Sequence, residues 1–168
     1  SECPELSPVT MRFCSKADQI KVLEYLGVNV IESTGNHLND YGSENFATTL
    51  EMYKERGWQN YGGGLNQADG QTPITMENNG NKIAFIGCNS VGFATGWATE
   101  TTPGAAKCDY EYYNEQIANL KSQGYIVIAT FQYQEIDATM YDEYYRKVFK
   151  DAATNGADIV QGSQSHVP

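Results

Sequence analysis

The chain has 168 residues, enough for a single domain with a core of its own, and its 40% apolar and 12% aromatic content excludes a disordered polypeptide. A formal net charge of −10 and a pI near 4.5 repel phosphate backbones and anionic lipid, which argues against nucleic-acid and membrane-surface binding. Charged residues make up only 19%, and Tyr, Asn, Gln, Ser and Thr fill the deficit, a surface common among secreted proteins.

No apolar run approaches the roughly 20 residues that span a bilayer, and no signal peptide is visible. The chain opens at Ser1 and closes at Pro168, and it reads as a mature or partial piece of a longer polypeptide. Its four cysteines fall into two local pairs, Cys3 with Cys14 and Cys88 with Cys108. Neither pair has the C-x-x-C spacing of a zinc knuckle or redox site. Two disulfides in an extracytoplasmic protein are the expected reading; four cysteines allow three connectivities, which stay open here, and four buried thiols are the alternative.

In chain order, residues 1–14 read as irregular, with Pro4 and Pro8. Ser15-Lys16-Ala17-Asp18 resembles a helix start, and the helix runs to Leu26 with Ile20, Leu23 and Leu26 on one stripe and Gly27 ending it. Residues 28–31 read as a buried strand of parallel type. Next comes the Gly-bounded loop 33–42, rich in Asn, His and Asp, the kind of strand-end loop where α/β proteins place chemistry. A helix over 44–56 with Phe46, Leu50 and Tyr53 inward follows.

Tyr61-Gly62-Gly63-Gly64-Leu65-Asn66 reads as a flexible connection; the glycine run lacks the Lys-Ser/Thr of a phosphate-binding loop. Residues 72–77 and 82–87 predict a hairpin about Asn79-Gly80. The segment 90–108 is long enough to demand a tether, and a bond between Cys88 and Cys108 would close its base. A helix over 110–123 with Tyr113, Ile117 and Leu120 inward, a strand over 125–131, a helix over 140–155 with Tyr141, Tyr145, Val148 and Ala152 inward, and a strand over 157–160 complete the chain. The Tyr-rich stretches 110–113 and 141–145 read as helix faces rather than sugar platforms.

Strands alternating with helices predict an α/β fold, a layered, mostly parallel sheet with flanking helices and one antiparallel hairpin. Four strands end in polar clusters: Asn36/His37/Asp40, Asn89/Ser90, Gln132/Glu135 and Ser163/Gln164/His166. Parallel strands share a direction, so these ends should converge on one edge. Gly35-Asn36-His37 after a strand is the pattern of a dinuclear metallophosphoesterase, in which an Asn carbonyl binds metal and a His protonates the leaving oxygen.

Residues 23–30 leading into Gly35-Asn36-His37-Leu38-Asn39-Asp40-Tyr41-Gly42, then 61–66, 79–87 and 156–167, taken together in that order, resemble one family. It is the CapA family, linked to poly-γ-glutamate capsule synthesis, with a metallophosphoesterase-like domain. The resemblance covers nearly all of residues 1–168 as one domain, incomplete at both ends relative to the family. It implies catalytic roles for His37 and Glu135, binding roles for Asn36, Asp40, Asn89, Gln132 and Gln164, and metal held by Asn36 and His166.

The departures are also visible. Where the family reads His-Trp-Gly-x-Glu, this chain has Gln132-Tyr133-Gln134-Glu135-Ile136; where it reads Gly-His-His-Pro-His, this chain has Gly162-Ser163-Gln164-Ser165-His166. Gln and Ser oxygens bind transition metals poorly, and a hard divalent cation such as Mg²⁺ or Ca²⁺ is the more tolerable cofactor. Two functions follow: an extracytoplasmic protein of capsule or envelope polymer assembly handling an anionic polymer, with or without metal-assisted hydrolysis, or a non-catalytic binding or structural domain on the same scaffold.

Overall fold

A computed structural model describes residues 3, 11–92, 96–136 and 142–165. At its centre is a four-stranded sheet of order β4-β5-β7-β8, with β4 at Ile74–Asn78, β5 at Asn81–Asn89, β7 at Ile126–Ile136 and β8 at Ile159–Ser165. The β4–β5 pair is antiparallel, and β5, β7 and β8 run parallel. The hairpin turns on Asn79 and Gly80, both at positive φ, 50° and 81°, the backbone that Asn-Gly adopts cheaply.

Period-two alternation divides β7. Val127, Ala129, Phe131 and Tyr133 enter the main core with Ala84, Ile86 and Cys88 of β5. Covering them are α4 (Tyr110–Ser122) through Tyr113, Ile117 and Leu120, and α5 (Glu143–Thr154) through Val148 and Ala152. Both helices are capped as sequence chemistry requires, Asp109 accepting from Tyr112 N and Asp142 from Tyr144 N. The inward residues expected of α4 are the ones buried; the expected Met140 and Tyr141 of the last helix lie outside the described residues.

On the other face of the sheet lie a short parallel ladder, β1 (Val30–Glu32) with β2 (Gln59–Tyr61), and α2 (Ser43–Glu55) with Phe46 buried. Tyr61 packs on Phe85 with ring centroids 5.5 Å apart. The first strand therefore does not join the main sheet, and its residues are at best half-buried, contrary to the buried strand expected. A second antiparallel pair, β3 (Gly63–Gly64) with β6 (Gly104–Ala105), and the short helix α3 (Gln67–Gln71) complete the fold.

Residues 61–66, expected as a flexible connection, are instead partly strand, and Tyr61 to Gly64 are buried. The absent side chains permit this: a Cβ on Gly64 would lie 2.5 Å from Asp69 Oδ2 and 2.6 Å from Gly70 N, and one on Gly63 would strike Ser33 O. The first helix also departs from expectation. A 3-10 turn at Ala17–Gln19 precedes α1 (Ile20–Tyr25), Gln19 rather than Ser15 secures the start by accepting from Lys16 N, and Leu26 is exposed. Finally, β7 and β8 run past their expected ends, so Gln132 and Ser163 are paired strand residues rather than loop residues.

Candidate functional site

The parallel strands deliver their C-terminal ends to one edge, and loop 33–42 lies across it. Ser33 and Thr34 are buried at its start, with Ser33 N donating to Tyr61 O (2.8 Å) and Ser33 Oγ to Asn60 Oδ1. Asn89, at the end of β5 and fully buried, ties three segments together. Its Nδ2 donates to Thr34 O (2.6 Å), and its Oδ1 accepts from Val91 N (2.9 Å) and Trp97 Nε1 (3.0 Å). The expected binding residue Asn89 is thus committed to internal hydrogen bonds and acts as a strut.

Further along the edge, Gln132 Nε2 and Gln164 Nε2 each donate to Asn36 Oδ1 at 2.9 Å. Ser163 Oγ donates to Gln132 Oε1 (2.7 Å), and Ser90 donates through both N (3.0 Å) and Oγ (2.7 Å) to the Gln132 carbonyl. Asn36, Gln132 and Gln164, 128 positions apart at the extremes, are therefore one contact cluster. His37 Nδ1 donates to the Asp40 carboxylate at 2.9 and 3.0 Å, which leaves Nε2 as the nitrogen open to chemistry. Asp40 also accepts from Phe13 N (2.7 Å), so its carboxylate holds His37 and the segment before it together. Glu135 belongs to β7 by its backbone; its side chain, like His166, lies outside the described residues.

Sequence reasoning placed Asn36, Asn89, Gln132 and Gln164 but missed what supports them. Phe13 sets its ring edge-on to His37 with centroids 4.6 Å apart, Trp97 reaches Asn89, and Ser163 orients Gln132. No local pattern announces Phe13, which meets the loop only through tertiary folding. Trp97 could have been suspected as the larger of the two aromatic side chains, with Phe93, in a loop closed by a cysteine pair. The disulfides are Cys3–Cys14 and Cys88–Cys108, and no cysteine is free among the described residues.

A divalent cation implied by the resemblance can be tested on this donor set. The two lone pairs of Asn36 Oδ1 already meet two amide N–H donors, so an approaching cation would face amide hydrogens of like partial charge. Among the described residues no three His, Cys, Asp or Glu side chains gather as a metal requires. The donors described do not fit the ion.

A layered α/β sheet with flanking helices, an antiparallel edge hairpin and polar strand ends joined over one edge defines a metallophosphoesterase-like scaffold. The chain belongs to the family described as "Bacterial capsule synthesis protein PGA_cap", whose model matches residues 2–168. It is 30% identical over 155 residues to "PGA biosynthesis protein CapA" of Bacillus subtilis (strain 168), covering 89% of this chain and 40% of that protein. It is 27% identical over 160 residues to "Capsule biosynthesis protein CapA" of Bacillus anthracis, covering 91% of this chain and 38% of that protein. The chain thus spans about two-fifths of the length of these relatives. No helix among the described residues is long and apolar enough to cross a membrane.

Proposed function

We propose that this chain is an extracytoplasmic domain of capsule or cell-envelope polymer assembly, of the poly-γ-glutamate type, that binds an anionic polymer at the strand-end cleft. The observation that carries the reading is the amide cluster of Asn36, Gln132 and Gln164, a neutral polar site where a two-metal hydrolase would need carboxylates and imidazoles. The names of the relatives support the polymer class. The two disulfides suit an oxidising compartment.

A chain of net charge −10 needs local positive charge to hold a polyanion. Arg12 sits 6.0 Å over the ring of Tyr41 in loop 33–42 and Lys107 4.7 Å over the ring of Trp97, which itself reaches Asn89, and neither is ion-paired among the described residues. The His37–Asp40 pair favours a second reading, a hydrolase in which His37 Nε2 gives its proton to a leaving group and Glu135 completes the site.

Calorimetric titration with poly-γ-glutamate fragments, run beside phosphodiester hydrolysis assays with added Mn²⁺, separates the two. Binding is expected to weaken with salt and to fall about tenfold in the Arg12→Gln/Lys107→Gln variant, with no phosphodiester turnover. Turnover abolished by His37→Ala would establish the second reading, and absence of both binding and turnover would sink the first.

A further inference from the structure

We propose that the Asn36–Gln132–Gln164 cluster is a metal-free lock, which cross-links loop 33–42 to the ends of β7 and β8 by amide hydrogen bonds at the position where this scaffold would carry a metal ion. The inference goes beyond the polymer reading and stands without it, because the lock is tested on the unliganded chain.

The backbone of β8 is bent to make the lock. Gly162 faces α5, since a Cβ there would lie against the Phe149 ring, and Ser163 therefore faces the opposite side, where it reaches Gln132. Strict alternation would return Gln164 towards α5. Instead Gln164 has φ +76°, a left-handed conformation that a non-glycine residue adopts only at a cost, and its side chain emerges on the face of Ser163 to meet Asn36. The pairing register slips at the same point: Gln132 pairs with Ser163, but Ile136 is the next partner, of Ser165. Three residues of β7 therefore oppose one of β8 in a bulge that re-aims the strand end.

Several polar atoms of the cluster are satisfied within it. Asn36 Oδ1 accepts two donors, Gln132 Oε1 accepts from Ser163, and Ser90 holds the Gln132 carbonyl from below. A metal at this edge would hold the same three segments through shared ligands; the amides achieve the cross-link with neutral groups. Such an arrangement needs no cation, and in an acidic chain it adds no charge.

The test uses thermal melts of the intact chain in EDTA, Zn²⁺, Mn²⁺ and Mg²⁺, together with metal analysis after dialysis. The wild type is expected to retain no stoichiometric metal and to melt at one temperature in all four conditions. Removing part of the lock in Gln164→Ala lowers that temperature by about 2–4 °C, equally with and without EDTA. Asn36→Asp, which keeps oxygen for both amide donors, melts above Asn36→Leu, which keeps none. Stoichiometric metal retained by the wild type and lost in Asn36→Ala would overturn the lock, as would an unchanged melting temperature in Gln164→Ala. Neither readout depends on polymer binding, so failure of the polymer assay and failure of the lock are distinguishable.

Discussion

Asn89 shows how much one side chain can hold in this site. Its side chain, wholly shielded from solvent, donates to the carbonyl of Thr34 and accepts from Val91 and Trp97. Asn89→Ala would leave those partners unpaired, and the cost of buried unpaired groups predicts a loss of about 3 kcal/mol in urea unfolding. Asn89→Asp keeps the two acceptor contacts but sets a carboxylate against the Thr34 carbonyl, so it is expected to rescue little. The residue was legible as a strand-end polar group because Ile83 to Ile86 before it is unbroken apolar sequence. Its partners were not, since Thr34 lies 55 positions away and offers only a backbone carbonyl.

At the scale of elements, segment 90–108 is the clearest case of a loop stabilised from outside itself. The Cys88–Cys108 disulfide closes it across 20 positions. Ala106 N donates to Gly62 O (2.9 Å), and Pro103 O accepts from Asn39 Nδ2 (2.8 Å). Loop-closure entropy for that span predicts that Cys88→Ala/Cys108→Ala loses roughly 3 kcal/mol. Because Trp97 is held on the same segment, its fluorescence should change before the far-ultraviolet dichroism during denaturation of that variant. Simultaneous transitions would show instead that the segment is secured without the bond.

The Asn79-Gly80 hairpin and helices α4 and α5 were readable because their determinants are local: turn chemistry, caps and a 3.6-residue stripe. The glycines at 62–64 misled because sequence reports flexibility in the free chain, whereas the folded chain uses their missing side chains for close approach.

Over the whole molecule, tyrosine dominates the ionisable interior. Burial pushes the Tyr61 and Tyr110 hydroxyls up to about 12, and it raises Tyr113 and Tyr133 as well. An acid whose folded value lies above its unfolded 10.0 contributes stability that is complete below pH 10 and lost as pH rises through the folded value. The unfolded chain ionises first, so stability is predicted to fall progressively from about pH 10 upward. Spectroscopic titration should show part of the tyrosinate signal appearing only with unfolding; a single smooth titration near pH 10 in folded protein would refute this.

Sequence alone settled the class of fold, the order of most elements, the inward faces of α4 and the meeting of polar strand ends at one edge, because periodicity, capping and parallel direction are properties of a chain read locally. Only the tertiary structure decided that β1 leaves the main sheet, that Phe13 lies on His37, and that Gln164 turns left-handed to join Gln132 on Asn36. Those outcomes depend on which distant backbone supplies a donor or a space, and contacts of that range leave no period in the sequence to read.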